Sequence, residues 1–532
     1  MNTRALAQTG GLLLMWFAID VVASNAQVTA DRLVNAGREP QNWLMYSGDY
    51  AGRRYSALEQ VNATTAGTLA PKWAYQTMAG GKFETTPLVV DGILYGTGVE
   101  DRAFALDANS GRPIWQYQRA LPPDIRPCCG RVNRGLAILG DKVFMGTLDA
   151  HVIALDAKTG NVVWDVTSAD YSKGYSFTLA PLVIKDLVLV GVSGGEYGIR
   201  GFIDAYDAST GERKWRFNTI PGPGEPGSDT WEGESWKIGG SPAWITGTFD
   251  VATNTTFWTT GNPAPSNRGV GRAGDNLYSD SLVALDPATG KLKWHFQFTR
   301  HDEHDYDATQ VPVMIDDGER HWIAQANRNG FFYVLDRTTG KLLSATSYAK
   351  VTWSTSKDAV GRPVGAKEGE PTPEGNPVCP GAAGATNWMS PSYDLQTKLF
   401  YVTAREQCDI FATAPQPFEA GHAYYGSAYF PNDGAQPFWG ALRAIDPVTG
   451  KIVWEWKHVS PTWSGVLSTA GGLVFTGDAE GNFIALEAKS GKALWHFQCG
   501  ASVYSSPMTY SVDGKQYVVV AAGSALFAFG LP

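Results

Sequence analysis

The densest run of ionisable residues in the chain is HDEHDYD, from His301 to Asp307. It holds two imidazoles and four carboxylates, groups that ligate metal ions or carry protons in catalysis. The commoner explanation for such a run is a solvated acidic loop between strands. On composition alone, both interpretations stay open.

Two oxygen-bearing side chains elsewhere follow glycine turns. Glu196 comes directly after Ser193-Gly194-Gly195, where missing side chains allow another group to approach the backbone. Asn262 lies in a Thr-Gly-Asn-Pro turn. Each would be an ordinary turn residue if it stood alone.

The five cysteines divide into three groups. Cys128 and Cys129 are adjacent, and a bond between them would join Cα atoms about 3.8 Å apart across a trans peptide, short of the usual disulfide range. A rigid vicinal disulfide and separate packing or pairing of the two cysteines both remain possible. We predict that Cys379 pairs with Cys408 and that Cys499 is left over. No C-x-x-C-H sequence occurs, so we expect no attached cytochrome c domain.

These residues must be positioned by a repeated strand–turn–strand unit, ALDPATGKLKW from Ala284 to Trp294. Related copies begin at 105, 154, 205, 444 and 485, and a copy without the Trp begins at 334. Spacings of about 40–50 residues are typical of propeller blades. Pro71–Gln76 resembles a second half of the unit and Leu526–Gly530 a first half. We therefore predict an all-β, eight-bladed propeller with Trp-docking repeats, closed by pairing of the N- and C-terminal segments.

Composition and charge limit the possible binding partners and the cellular location. The formal charge of −9 argues against nucleic acid as a partner. The apolar run Gly11–Ile19 is too short for a transmembrane segment and resembles a secretory signal peptide, although a buried N-terminal arm is the alternative. We expect a signal peptide over residues 1–26, a periplasmic protein, and one propeller domain over residues 27–532.

The repeats, the adjacent cysteines, SGGE, GNP and HDExDYD occur in an order that closely resembles the pyrroloquinoline quinone (PQQ)-dependent alcohol dehydrogenases. The resemblance covers nearly the whole chain after the N-terminal segment and implies a quinone buried on the propeller axis. It also implies a Cys128–Cys129 disulfide on one face of the quinone and Trp244 on the other. The positions that would hold the cofactor are Glu84, Cys128, Cys129, Arg134, Thr178, Ser193, Gly194, Gly195, Trp244, Arg328, Asn387 and Trp463.

The resemblance also assigns the chemistry. Asp305 would be the catalytic base and Arg328 would stabilise charge on the reduced quinone. Glu196, Asn262, Asp305 and Asp307 would ligate the metal. An Asp at 307 is typical of relatives that use lanthanides, so we favour one lanthanide ion, with Ca²⁺ as the alternative. His304 departs from the family, which usually has another aromatic residue there.

The predicted function is oxidation of a primary alcohol to an aldehyde, with electrons passed to a soluble cytochrome c. A homodimer is compatible with the family. The alternatives are a quinoprotein acting on a sugar or polyol, and a non-catalytic propeller scaffold built from the same repeats. A scaffold has no reason to keep Cys128-Cys129, Glu196 and Asp305 together, and this combination separates the two.

Overall fold

The computed structural model describes residues 27–432, 434 and 437–532. The predicted signal peptide, residues 1–26, lies outside the described residues. Almost all regular structure is β, which confirms the all-β, propeller-type fold.

Eight antiparallel sheets of at least four strands account for most of the described chain, and we number them in chain order. The first sheet contains Leu88–Val90, Ile93–Gly98, Arg102–Asp107 and Pro113–Gln118; the second contains Ala137–Leu139, Lys142–Gly146, His151–Asp156 and Val162–Thr167; the third contains Leu182–Ile184, Leu187–Gly191, Phe202–Asp207 and Arg213–Asn218; the fourth contains Thr248–Asp250, Thr255–Thr259, Ser281–Leu285 and Leu292–Gln297.

The second half of the chain repeats this arrangement. The fifth sheet contains Val313–Asp317, Arg320–Ala326, Phe331–Asp336 and Leu342–Ser347; the sixth contains Ser392–Tyr393, Phe400–Glu406, Trp439–Ile445 and Ile452–His458; the seventh contains Leu467–Thr469, Leu473–Gly477, Asn482–Glu487 and Ala493–Gln498, with Tyr55–Ser56 added in parallel; the eighth contains Met508–Val512, Lys515–Ala522 and Ala525–Gly530. The eighth sheet takes its outer strand, Ala70–Gln76, from near the N-terminus.

Two insertions carry additional strands, one between the fifth and sixth sheets and the other between strands Phe400–Glu406 and Trp439–Ile445 of the sixth sheet. Ser354–Lys357 pairs with Pro363–Gly365, and Asp409–Thr413 pairs with both Asn376–Val378 and Ser427–Pro431. The α-helix Ala30–Val34 precedes short 3-10 turns at Ala36–Arg38, Ala66–Thr68, Val99–Asp101, Tyr171–Lys173, Gly195–Tyr197, Ser228–Thr230, Ser235–Ile238 and Lys367–Gly369. Among the described residues, none of these helices has the length and apolarity to cross a membrane.

The tryptophan of a repeat, where present, docks onto a segment that adjoins the next sheet, usually the turn of the next repeat. Trp115 Nε1 donates to Ala157 O (2.9 Å), and the indole covers Gly160, where an added Cβ would clash with the ring. Gly160 also has a φ of +74°, which favours glycine. The same contact joins Trp454 to Ala488 O (3.0 Å) and Trp495 to Leu69 O (3.0 Å). The core of the fold therefore lies between successive sheets.

Burial follows the order of strands within each sheet. In the third strand of the first sheet, Arg102–Asp107, the central four residues are buried, whereas in the outer strand, Pro113–Gln118, only Trp115 is buried. Because the first and second strands of each sheet are antiparallel, the loop before the first strand and the loop after the second strand lie at the same end of the sheet. These loops carry the predicted functional residues.

Candidate active site

The side chain of Arg328 joins the two aspartates of the HDEHDYD segment. Its Nη1 donates to Asp307 Oδ2 (2.6 Å) and its Nη2 to Asp305 Oδ2 (2.9 Å). Its Nε donates to Ala382 O (2.9 Å), in the interval between the fifth and sixth sheets. All three side chains are largely buried, with exposures of 8%, 14% and 2% for Arg328, Asp305 and Asp307. The segment is therefore not a solvated loop.

Asn262 and Glu196 complete a group of oxygen donors around this ion pair. Asn262 N donates to Asp307 Oδ1 (2.9 Å), and Asn262 Nδ2 donates to Ser266 Oγ (2.9 Å). Asn262 Oδ1 faces the backbone of Gly195, the residue before Glu196. A Cβ built on Gly195 would lie 3.7 Å from this oxygen. Within the described chain, Asn262 Oδ1 and Asp305 Oδ1 are buried without a hydrogen-bond partner. Buried carboxylate and amide oxygens left without donors fit a hard cation.

The charges at this group raise the proton affinity of the carboxyls. Burial, followed by repulsion from Asp307, raises the pKa of Glu196 to about 7. Burial raises the pKa of Asp305 well above its usual range, although Arg328 opposes the shift. The pKa of Asp307 is raised by burial and opposed by Arg328 in the same way. Without a cation, the oxygens repel one another and retain protons more easily.

The vicinal cysteines lie against Glu196. Cys128 and Cys129 form a disulfide, which resolves the alternatives left open by the sequence. Both Sγ atoms and a Glu196 carboxylate oxygen lie within 4.8 Å of one another. Because disulfide sulfurs are not thiolates, we interpret this contact as an apolar wall beside Glu196 rather than as sulfur ligation.

A second polar group lies between the first three sheets. Arg134 Nη2 pairs with Glu84 Oε2 (2.7 Å), and Arg134 Nη1 donates to Thr178 Oγ1 (2.9 Å). Thr178 Oγ1 lies 2.8 Å from Ser193 Oγ. Arg134 Nε is buried with no acceptor among the described residues. A buried guanidinium N–H without an acceptor fits an anionic or carbonyl-bearing ligand such as PQQ.

Aromatic rings connect the two polar groups. The guanidinium of Arg134 lies 5.0 Å from the ring centre of Trp244 and 5.2 Å from that of Trp388. The indole of Trp244 also interacts with the Asp307 carboxyl. Trp463 packs in the same apolar group and lies 4.1 Å from the Arg405 guanidinium. A disulfide and an indole near the same carboxylates are suited to hold a flat ring system.

The two insertions contact this region and each other. They are joined by the Cys379–Cys408 disulfide, which confirms the predicted pairing, and Cys499 is free as expected. Tyr424 N donates to Glu196 O (2.6 Å), and Asn267 N donates to Tyr425 O (3.0 Å). The insertion within the sixth sheet therefore contacts loops of the third and fourth sheets next to Glu196.

His304 connects the HDEHDYD segment to the interval between the fifth and sixth sheets. Its ring stacks on Tyr306 (5.0 Å between centroids) and its Nε2 lies 2.6 Å from Gly369 O. Asp302 accepts hydrogen bonds from the backbone N–H groups of His304 (3.1 Å) and Tyr306 (2.7 Å). His304 therefore acts as an aromatic packing residue here, in keeping with the residue type that it replaces.

The structure brings nearly all the predicted site residues to one end of the sheets. The side chain of Asn387 forms hydrogen bonds with neighbours in its own loop: its Nδ2 donates to Ala383 O (3.1 Å) and its Oδ1 accepts from Trp388 N (2.9 Å). Sequence reasoning missed Arg405 and Tyr425. Arg405 lies within an ordinary strand and Tyr425 within an insertion without a repeat, so neither carried a local signal.

The comparisons with known proteins agree with this geometry. The family model for the PQQ glucose/ethanol/alcohol dehydrogenase β-propeller domain matches residues 43–364 and 366–518. The chain therefore belongs to the family of PQQ-dependent, or quinoprotein, alcohol dehydrogenases, as the sequence indicated.

Three relatives illustrate the similarity. The quinoprotein alcohol dehydrogenase PedH of Pseudomonas putida is 41% identical over 534 residues, covering 94% of this chain and 89% of the relative. A quinoprotein ethanol dehydrogenase of Pseudomonas putida is 38% identical over 575 residues, covering 98% and 92%. The solved structure of a europium-containing methanol dehydrogenase superposes with a TM-score of 0.90 at 34% identity, covering 94% of this chain and 100% of that chain.

Proposed function

We propose that this protein oxidises a primary alcohol to an aldehyde with PQQ as cofactor. The observation that carries the proposal is the convergence of Glu196, Asn262, Asp305 and Arg328 beside the vicinal disulfide, with Asn262 Oδ1 and Asp305 Oδ1 buried and unpartnered among the described residues. Family membership supports the same reaction class, since the relatives are named alcohol dehydrogenases. A scaffold would gain nothing from this concentration of buried, incompletely paired charge, because burying such groups is costly.

The roles of the side chains follow from their free atoms. Arg328 Nη2 donates to Asp305 Oδ2, so Asp305 Oδ1 is the oxygen left free both for the proposed cation and for the hydroxyl proton of an alcohol. The carboxylate of Asp305 is the group in this position that can accept a proton. When bound, the quinone supplies the electron sink and the cation supplies a Lewis acid.

The cofactor would be held by the group around Arg134, where Nε can donate and where Glu84, Thr178 and Ser193 supply further polar atoms. The disulfide and Trp244 would exclude water from its two faces. Glu196, Asn262, Asp305 and Asp307 would ligate one cation. We propose a lanthanide rather than Ca²⁺, because Asp307 adds a third carboxylate and one similar structure is named for its europium.

The fold and cellular context complete the proposal. We infer that each of the eight sheets is one blade of a single propeller domain over residues 27–532, with the pairing of Ala70–Gln76 and Ala525–Gly530 closing the ring. Two disulfides support an oxidising, periplasmic location. A soluble cytochrome c is the proposed electron acceptor.

The test is dye-linked alcohol oxidation by metal-free protein reconstituted with PQQ and La³⁺, with PQQ and Ca²⁺, or with PQQ alone. We expect activity with La³⁺ and little with the other two. Activity with Ca²⁺ alone would retain the enzyme class and refute the lanthanide. Absence of both quinone binding and turnover over a panel of alcohols would favour the scaffold. A sugar oxidised faster than every alcohol would favour the polyol alternative.

A further inference from the structure

One buried carboxyl near the active site has no role in the mechanism above. Asp280 is 0% exposed, and within the described residues neither of its carboxylate oxygens has a hydrogen-bond partner. Its backbone has a φ of +47°, an uncommon conformation for a residue other than glycine. An isolated buried carboxylate is costly, so a charge opposite to it or a proton must compensate.

The backbone places Asp280 directly behind the turn that carries Asn262. Asp280 N donates to Gly261 O (3.0 Å), and Asp280 O accepts from Phe298 N (2.7 Å). Gly261 packs so closely on the carboxylate of Asp307 that an added Cβ would overlap Asp307 Oδ1. Asp280 is therefore linked through Gly261 to Asn262 and Asp307, two of the proposed cation ligands.

The other charges around Asp280 do not compensate it. Burial raises the pKa of Asp280, and repulsion from Asp302 and Asp307 raises it further; Arg272 opposes this shift. Arg272 is itself committed elsewhere, since its Nη1 donates to Asn276 Oδ1 (2.7 Å) and its Nη2 to Asp302 O. A cation at the proposed site would add positive charge beside the turn to which Asp280 is hydrogen-bonded.

We propose that Asp280 is a positioning residue that adds a non-coordinating negative charge behind the cation site and favours a trivalent ion over a divalent one. The inference rests on the proposed function, because it assumes that Glu196, Asn262, Asp305 and Asp307 bind a cation. The physical reason is that the attraction of one carboxylate to a trivalent ion is half as large again as its attraction to a divalent ion at the same distance.

The test is a titration of the metal-free protein with Tb³⁺, read by luminescence sensitised through nearby tryptophans such as Trp244. Ca²⁺ affinity is measured by competition against Tb³⁺. The variant is Asp280→Asn, which keeps the side-chain shape and removes the charge. The matched control is Asp101→Asn, which removes a second fully buried carboxyl whose hydrogen-bond partners, Asn133 and Leu148, lie in loops of the second sheet.

We expect Asp280→Asn to weaken Tb³⁺ binding by about tenfold or more and Ca²⁺ binding by a smaller factor. The metal-free variant should melt at the same temperature as the parent protein or higher, since a costly buried acid has been removed. Asp101→Asn should leave both affinities unchanged. If Asp280→Asn does not fold, Asp280→Ser provides the same charge removal with a smaller side chain.

Two results would overturn the inference while leaving the proposed function intact. Unchanged Tb³⁺ affinity in Asp280→Asn would show that Asp280 stays protonated and only shapes the turn. Equal losses for Tb³⁺ and Ca²⁺ would refute the preference for a trivalent ion. Failure of the parent protein to bind Tb³⁺ or Ca²⁺ would instead refute the cation site itself, and with it both proposals.

Discussion

The buried carboxyl of Asp101 predicts a specific dependence of stability on pH. Its Oδ2 accepts from Leu148 N (2.6 Å) and its Oδ1 from Asn133 Nδ2 (3.4 Å). Burial outweighs these hydrogen bonds and raises the pKa from 3.8 to about 7. The 3-10 turn that ends at Asp101 also carries Glu100, which pairs with Arg131 (3.0 Å) beside the vicinal disulfide.

The pH dependence of stability follows from the difference in proton binding between the folded and unfolded states. The folded protein keeps the Asp101 proton up to about pH 7, whereas the unfolded chain loses it near pH 4. The folded state therefore binds more protons between these values, and its stability falls as pH rises through this window. Between pH 5 and pH 8 there are roughly two pH units in which the folded state holds the Asp101 proton and the unfolded state does not. This lowers the free energy of unfolding by about 2.5 kcal/mol over that range.

The experiment compares the parent protein with Asp101→Asn, which is neutral in both states. Urea unfolding of metal-free protein is followed by tryptophan fluorescence at pH 5, 6, 7 and 8. Since the other groups titrate alike in both proteins, the unfolding free energy of the parent minus that of the variant isolates Asp101. We expect this difference to fall by about 2.5 kcal/mol from pH 5 to pH 8. A constant difference would refute the raised pKa.

Three further predictions concern the site and the repeats. Asp305→Asn should lower turnover of the reconstituted enzyme by about 10²–10⁴-fold while retaining quinone and Tb³⁺ binding, because the amide keeps an oxygen ligand but is not a base; turnover within threefold of the parent would contradict its role. Gly261→Ala should abolish high-affinity Tb³⁺ binding, because the new methyl group would displace the Asp307 carboxylate; an unchanged titration would show that the turn can shift. Trp454→Phe should lower the unfolding free energy by about 1–2 kcal/mol in urea titrations, because its Nε1 bond to Ala488 O is lost; an equal midpoint would mean that docking does not need this bond.

The sequence predicted the repeat architecture well, because each repeat contains its own turn chemistry. Asp286 Oδ1 accepts from the backbone N–H groups of Ala288 and Thr289 (both 3.0 Å), and this pattern can be recognised from the residues alone. The irregular copy that begins at 334 also has a local explanation. Ser344 stands in place of Trp, and the turn glycine of the next repeat, Gly450, contacts Thr346 instead of an indole.

The sequence did not reveal the contacts among site residues from different loops. Arg328 and Asp305 are 23 residues apart, and neither position shows that Arg328 leaves Asp305 Oδ1 free. The unpartnered state of Asp280 was equally invisible, since Asp280 precedes a common strand pattern. Such features depend on which side chains lack partners, and a missing partner is a property of the folded structure.

Backbone hydrogen bonds between successive sheets explain why these side chains can be placed accurately. Thr86 N donates to Arg134 O (3.0 Å), and Arg134 N donates to Thr178 O (3.0 Å), so one chain of bonds passes from the first sheet to the third. Ala385 N donates to Arg328 O (2.9 Å) in the same manner. Because the backbone fixes these positions, the side chains are free to carry unfavourable buried charge without also having to hold the sheets together. The tryptophan docking at the outer strands supplies that cohesion, and this separation lets the fold accommodate a group of closely spaced, largely buried carboxylates.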